Sequence, residues 1–307
     1  MFRELRQRLG LHPRAWMHSA LTYPRFIGRI KPGLLAGTEA ELQARLAVSN
    51  RACEPALLEA PVGRHIVVVA PHPDDESIGA GGLLLAHRGK ASVSIVTLFN
   101  GEGGGQLGAE PWADTPSYKS RLVNARKDEL AEVAACLQAS STHAIDLPDG
   151  YANPRPEDAQ TLGSIVSALH PDVVLIPWFL DNLPDHRMAN LLYASACADL
   201  DCMVLGFEVW SLCHPNALFD TTAWLDEKLR LVELYKTQTA SVDYARLVTG
   251  LGLTRGFQLG RGQNGTSAAE AFLALPNRDY CDIVRAYYGE PGSLSDAAKR
   301  LFRPDHL

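Results

Sequence analysis

The sequence lacks several features that define large classes of proteins. Its six cysteines form no Cys-x-x-Cys pair, so neither a cysteine-based zinc site nor a dithiol redox motif is expected. It contains no run of about 18 apolar residues, so no helix is expected to span a membrane. It has no apolar N-terminal stretch followed by a cleavage site, so no secretory signal is predicted. The scattered cysteines predict free thiols in a reducing cytoplasm.

Positive charge is also scarce over the chain as a whole. The 307 residues include 29 Lys and Arg against 35 Asp and Glu, a net charge of −6. Because nucleic-acid-binding domains are usually basic, no nucleic-acid partner is predicted. Hydrophobic residues make up 46% of the chain, which excludes a disordered protein.

The N-terminal segment has the opposite charge balance. Residues 1–31 carry seven basic groups and one acid, interleaved with leucines and aromatic residues. Such a stretch can lie on an anionic membrane surface. The alternative is an arm packed on its own domain or on a partner subunit. Pro13, Pro24 and Pro32 favour the arm, because prolines interrupt a long amphipathic helix.

The pattern divides the chain into two parts. Residues 38–52 predict a short helix with Thr38 as its N-cap and Glu41 three positions later. We therefore expect an N-terminal basic arm and helix over residues 1–60 and one main domain over 61–307. The predicted location is cytoplasmic, with peripheral contact at the inner face of the membrane through residues 1–31 as the open alternative. The oligomeric state is not predicted.

Strands and helices alternate from residue 65 onwards. The predicted strands are His65–Ala70, Val93–Leu98, His143–Leu147, Val173–Pro177 and Met203–Trp210. The predicted helices cover residues 77–88, 118–138, 157–169, 187–198 and 222–236, the last being the final strong helix. Residues 254–266 are glycine-rich and predict a loop. This alternation predicts an α/β fold, a mostly parallel sheet with helices on both faces. The ligand site of such a sheet lies beyond the carboxyl ends of its strands.

Two strand-end loops carry the chemistry. Directly after the first strand come His72 and three carboxylates, with Asp75 three positions after the histidine and Pro73 stiffening the turn. His186 follows the strand Val173–Pro177. Two histidines and one carboxylate, with a fourth position left open, are typical of a catalytic zinc site. The alternative is that Asp74 or Asp75 only caps the next helix.

The segment VVVAPHPDDESIGAGG at residues 67–82 resembles the signature of the PIG-L (LmbE-like) N-acetylglucosaminyl deacetylases. Members of that family are zinc-dependent enzymes with a Rossmann-like fold that deacetylate N-acetylated amino sugars. The resemblance covers about residues 63 to 275. Weaker similarities lie at Thr97–Gly105, Arg126–Glu129, Leu147–Gly150, Asp226–Gln238 and Ala269–Phe272.

This resemblance implies a role for each matching residue. It implies that His72, Asp75 and His186 bind Zn²⁺ and that Asp74 is the general base. It also implies that Arg126 and Asp149 bind the sugar, less securely. The alternatives are an exposed helix residue for Arg126 and a turn-forming aspartate for Asp149. The implied partner is an N-acetylated sugar or glycoconjugate.

One position departs from the family pattern. Leu183 stands where the family has a histidine that stabilises the oxyanion, a histidine that Asp185 would orient. Loss of one oxyanion donor typically costs about 10²- to 10³-fold in rate. Three explanations stay open. The metal alone suffices, or His214 replaces the missing donor as a catalytic residue, or the chain is a metal-pocket binding or scaffold protein. A dinucleotide-binding protein is disfavoured, because no Gly-x-Gly-x-x-Gly follows the first strand.

Overall fold

The computed structural model describes residues 55–151, 154–259 and 267–288. Within these residues the strands are β1 (Ala56–Leu58), β2 (His65–Ala70), β3 (Ser92–Phe99), β4 (Ser141–Leu147), β5 (Val173–Pro177), β6 (Met203–Phe207), β7 (Ala217–Asp220) and β8 (Ala269–Pro276). The helices are α1 (Asp75–His87), α2 (Pro116–Leu137), α3 (Pro156–Ala168), α4 (Pro184–Ala196), α5 (Leu225–Leu234), α6 (Lys236–Thr239), α7 (Tyr244–Phe257) and α8 (Asn277–Tyr288).

The strands form one sheet in the order β1-β7-β8-β6-β5-β2-β3-β4. All neighbouring pairs are parallel except those of β8, which runs antiparallel to β6 and β7. The chain passes from β2 to β3 and β4 on one side, and then returns to β5 and β6 on the other. Beyond the carboxyl ends of β2 and β5 there is therefore a switch point, where open α/β sheets bind ligands.

Apolar side chains of the central strands are buried on both faces of the sheet. In β2, Val67 and Val69 pack into one core with helices α3, α4 and α8. Ile66 and Val68 pack into the other core with helices α1, α2, α5 and α7. This double burial explains why β2 has a continuous apolar sequence without alternation.

Glycines let α1 approach its neighbours closely. A Cβ atom on Gly79 would lie 2.0 Å from the ring of Phe207 on β6. A Cβ atom on Gly82 would lie 2.5 Å from Thr221. Both positions therefore require glycine for packing, and the close approach holds the start of α1 against the sheet.

The predicted α/β fold and mostly parallel sheet are confirmed, and three local predictions are wrong. The helix at 222–236 is not the last strong helix, because α7 and α8 follow it. Strand β6 ends at Phe207, because a buried turn begins at Glu208. The Glu208 carboxylate accepts the backbone N–H of Cys213 within this turn. Residues 254–257, predicted as loop, complete α7.

The domain boundary remains a prediction. Strand β1 precedes the predicted boundary between residues 60 and 61, yet it pairs with β7 in the same sheet. The basic arm at residues 1–31 and the helix at 38–52 lie outside the described residues. Among the described residues, no helix is both long enough and apolar enough to cross a membrane.

Candidate active site

The loop after β2 folds tightly around Asp75. The Asp75 carboxylate accepts the backbone N–H of His72 at 2.8 Å, and the Asp75 N–H donates back to the His72 carbonyl at 3.4 Å. Asp74 caps α1 in the left-handed backbone region, with φ at 134°. A non-glycine residue held at such a φ is strained, and this kind of strain is frequent at functional sites.

The structure brings together His72, Asp75 and His186, the three predicted metal ligands. His186 lies in the first turn of α4, and its Nε2 is 3.3 Å from Oδ2 of Asp75. The Nδ1 atom of His72 is 3.4 Å from the same oxygen. The three side chains offer ligand atoms that all lie within 4.8 Å of one another. The Asp75 carboxylate therefore lies between two imidazoles that come from opposite sides of the switch point.

The donor set fits a metal ion. His186 is fully buried, and neither of its ring nitrogens has a hydrogen-bond partner of good geometry. Buried polar atoms without partners are rare and call for an explanation such as a bound ion. Two imidazole nitrogens and one carboxylate oxygen are donors that zinc accepts, and three protein ligands are typical of its catalytic sites.

Charges in the metal-free site are strongly coupled. Burial lowers the pKa of His72, but hydrogen bonds with Asp185 and Asp75 outweigh it and raise that pKa to about 9. Burial acts in the same way on His186, and Asp75 and Asp181 raise its pKa to about 10. Burial would raise the pKa of Asp75, but His186 and His72 hold it well below its usual range. Without a metal, the site therefore favours the protonated, positively charged form of both imidazoles beside an ionised Asp75.

Asp74 has the environment of a general base or acid. Burial raises its pKa to about 8, although the guanidinium of Arg126, 3.5 Å away, acts in the opposite direction. The Glu76 carboxylate accepts the Asp74 backbone N–H at 3.1 Å and the Tyr235 hydroxyl at 2.5 Å. Glu76 therefore ties the strained residue to the end of α5.

Arg126 is buried, contrary to the alternative of an exposed helix residue. Its guanidinium donates to the carbonyls of Pro73 at 2.8 Å, Gly101 at 3.1 Å and Gly104 at 3.3 Å. These contacts join α2 to the loops after β2 and β3. Sugar binding by Arg126 stays a prediction, since the contacts seen here support the walls of the site.

Asp149 holds the glycine-rich loop after β3. Its two carboxylate oxygens accept the backbone N–H groups of Gly101 at 2.7 Å and Gly103 at 2.8 Å. Its Oδ1 also lies 3.9 Å from Nε2 of His72. Asp149 thus lies beside the candidate metal ligand His72, and both of its oxygens already have partners. Its contact with a sugar stays a prediction.

The catalytic role of His214 stays a prediction. This residue is exposed in the loop after β6 and is not one of the side chains that could hold a metal with His72. An oxyanion donor acts in a water-excluded site, where its position is fixed before the reaction. Leu183, at the N-cap of α4, is half-buried and has no side-chain donor.

Sequence reasoning assigned no role in this site to Asp181, and it linked Asp185 only to a histidine that is missing here. Oδ1 of the fully buried Asp181 lies 3.2 Å from Nδ1 of His186. Oδ2 of Asp185 lies 3.2 Å from Nε2 of His72. Both aspartates belong to the same loop and helix start as His186. The available signal was the presence of two further carboxylates within five residues of a predicted ligand.

Segments that carry the weaker family similarities also contact one another around the site. Glu129 of α2 accepts the backbone N–H and the hydroxyl of Thr237 at 2.8 and 2.6 Å. Gln238 donates to the Gly104 carbonyl at 3.2 Å. The segments at Arg126–Glu129 and Asp226–Gln238 therefore close around the glycine-rich loop.

A family model and several known proteins are similar to parts of this chain. The model of the family described as PIG-L, GlcNAc-PI de-N-acetylase, matches residues 67–197. The diacetylchitobiose deacetylase of Thermococcus kodakarensis is 24% identical over 193 residues, which cover 57% of this chain and 70% of that protein.

Two solved structures share the fold. The N,N'-diacetylchitobiose deacetylase from Pyrococcus horikoshii has a TM-score of 0.60 and 18% identity, over 76% of this chain and 89% of that one. The 4-carboxy-2-hydroxymuconate hydratase from Pseudomonas putida KT2440 has a TM-score of 0.58 and 22% identity, over 68% of this chain and 95% of that one. The family match at residues 67–197 contains the whole cluster around His72, so this part of the chain resembles the PIG-L family, and the two solved structures show the same fold.

Proposed function

We propose that this chain is a metal-dependent hydrolase that removes the acetyl group from an N-acetylated amino sugar. The observation that carries the proposal is the convergence of His72, Asp75 and His186 within 4.8 Å, beside the buried Asp74. The deacetylase activity named for the Thermococcus relative supports the reaction class. The products are then acetate and a free amino sugar.

We propose zinc as the metal, held by His72, Asp75 and His186. Bound zinc lowers the pKa of a coordinated water towards 7 and polarises a carbonyl oxygen. The fit rests on the donor chemistry and on the buried Nε2 of His186, which has no hydrogen-bond partner and faces Asp75.

Asp74 is the proposed proton-transfer group. It follows the ligand loop directly and is buried, so it is poised beside the site where water and amide would meet. As general base it would accept a proton from the attacking water, and then donate a proton to the leaving amine. Arg126, 3.5 Å away, favours its ionised form, which is the form a base requires.

The direct test is Asp74→Ala, assayed by acetate release from a panel of N-acetylated sugars that includes diacetylchitobiose. We expect the variant to keep its zinc and to lose about 10²- to 10⁴-fold in turnover, the usual contribution of a general acid–base group. Full activity in a zinc-loaded Asp74→Ala protein would contradict the proposed mechanism.

A second candidate function follows from Leu183. If the site lacks an oxyanion donor, the chain is a binding or scaffold protein that keeps the metal pocket. This candidate predicts metal-dependent binding of N-acetylated sugars without acetate release. The variant Leu183→His then creates or raises activity, whereas lower activity in that variant shows that the leucine belongs to a working site.

Substrate identity, location and membrane contact remain proposals. The basic residues 1–31 suggest a peripheral contact with anionic lipid. Sedimentation with liposomes, compared between the full chain and a chain that lacks residues 1–31, tests this contact. Equal sedimentation of the two proteins would contradict a membrane contact through residues 1–31.

A further inference from the structure

We propose that Asp185 and Asp181 are positioning residues that hold the two metal-binding histidines by their outer ring nitrogens. The inference rests on the proposed metal site and extends it. Each imidazole would turn one nitrogen towards Asp75 and the metal, and the other towards its own carboxylate.

His72 shows this division clearly. Its Nδ1 lies 3.4 Å from Oδ2 of Asp75, and its Nε2 hydrogen bonds with Oδ2 of Asp185 at 3.2 Å. Asp149 is the other nearby carboxylate, but it is 3.9 Å away and both of its oxygens accept glycine N–H groups. Asp185 is therefore the carboxylate that holds the outer nitrogen of His72.

The Asp185 carboxylate is itself fixed in place. Both of its oxygens accept the backbone N–H of Gly150, at 3.1 and 3.0 Å. It also lies in the first turn of α4, where the N-terminal end of a helix favours a negative charge. Because Leu183 offers no imidazole, the only imidazole shown in contact with Asp185 among the described residues is that of His72. This explains what the carboxylate does in a chain without the histidine it would otherwise orient.

His186 has a matching arrangement on the other side. Its Nε2 lies 3.3 Å from Oδ2 of Asp75, and its Nδ1 lies 3.2 Å from Oδ1 of Asp181. The Asp181 carboxylate is fully buried and also accepts the backbone N–H groups of Leu183 at 3.0 Å and Trp210 at 2.9 Å. The buried Asp181 carboxylate therefore lies at the outer nitrogen of His186, although Nδ1 makes no hydrogen bond of good geometry in the metal-free chain.

These contacts have a defined effect on metal binding. A carboxylate on the outer nitrogen of a ligand histidine selects the tautomer, orients the ring and increases the basicity of the ligand nitrogen. Removal of such a partner typically weakens metal affinity by about 10- to 100-fold. Neither aspartate needs to touch the substrate for this effect.

The experiment measures zinc affinity by competition with a chromophoric chelator at neutral pH. The variants are Asp185→Asn, Asp185→Ala, Asp181→Asn and the control Asp172→Asn. Asp172 accepts the backbone N–H groups of Arg64 and His65 at the opposite edge of the sheet, so it controls for the loss of a carboxylate that fixes backbone. Circular dichroism and unfolding of the metal-free proteins report on folding.

We expect about 10-fold weaker zinc binding in each site asparagine variant and up to about 100-fold in Asp185→Ala. The absorption spectrum of bound Co²⁺ should also change in these variants, whereas Asp172→Asn should match wild type in both measurements. If Asp181→Asn fails to fold, the Asp185 variants alone test whether a carboxylate positions His72.

Wild-type affinity in folded Asp185→Ala and Asp181→Asn proteins would overturn the inference and leave the metal site intact. Failure of the wild-type chain itself to bind zinc would instead refute the proposed function. The two failures are therefore distinguishable.

Discussion

At the scale of single residues, Asp74 combines a positive φ of 134°, burial and a raised pKa. Each of these three features opposes folding. The chain nevertheless holds the Asp74 carboxylate beside the proposed ligands His72 and Asp75. The sequence predicted this cluster because adjacent residues of one loop must lie together. It did not predict the backbone strain, which depends on contacts of Asp74 with Glu76 and Arg126.

The strain at Asp74 gives a stability prediction. Asp74→Gly should raise the free energy of unfolding of the metal-free protein, because glycine adopts this backbone conformation without a steric penalty. Asp74→Ala removes the carboxylate but keeps the strain, so it is the matched control. We expect the glycine variant to exceed the alanine variant by about 1 kcal/mol in denaturant unfolding. Equal stability of the two variants would show that φ at this position costs nothing.

The cysteines behave as the sequence predicted. In the described residues Cys136, Cys197, Cys202, Cys213 and Cys281 are all free thiols. Burial raises the pKa of Cys197 well above its usual value and that of Cys202 to about 12, so neither is a reactive thiolate. Burial therefore disfavours oxidation or metal binding at these two thiols.

At the scale of elements, prediction succeeded where one element carries a strong local pattern. The apolar runs of β2 and β5 predicted the same first and last residues that the structure shows. Helix α7 was not predicted, because Gly250, Gly252 and Gly256 interrupt the spacing of its apolar residues. Helix α8 carried a usable signal, since Tyr280, Val284 and Tyr288 recur every four residues on its buried face. Strand β8 pairs antiparallel between β6 and β7. This pairing depends on long-range contacts that no local sequence pattern specifies.

The packing of α1 on the sheet gives the prediction at this scale. Gly79→Ala should lower the free energy of unfolding by about 1–3 kcal/mol, because the new methyl group would overlap the ring of Phe207. Combination with Phe207→Leu should recover part of the loss. Gly250→Ala in α7 is the control, since its Cβ would meet open space and alanine favours a helix. Urea unfolding measures all four proteins, and equal effects at positions 79 and 250 would contradict the packing account.

At the scale of the whole molecule, the fold alone does not determine the reaction. The deacetylase from Pyrococcus horikoshii and the hydratase from Pseudomonas putida share it at TM-scores of 0.60 and 0.58. Activity must therefore be argued from the side chains at the switch point. The sequence brought together the three proposed ligands because they follow strand ends at one edge of the sheet. The supporting roles of Asp181 and Asp185 depend on side-chain directions that spacing does not give.

Metal binding should stabilise the whole chain. A ligand that binds only the folded state at one hundred times its Kd adds about 2.7 kcal/mol. We expect zinc to raise the melting temperature by roughly 5 °C and a chelator to reverse the change. Asp75→Ala should show no zinc-dependent shift, and a shift equal to that of wild type would place the metal elsewhere.

The central claim is that His72, Asp75 and His186 form a metal site, and zinc content tests it most directly. Wild type and Asp75→Ala are purified without chelators, and zinc is measured per chain. The account predicts about one zinc in wild type and much less in the variant. No zinc in either protein, even after the metal is added, would contradict it and would leave the signature at residues 67–82 as a feature of the fold alone.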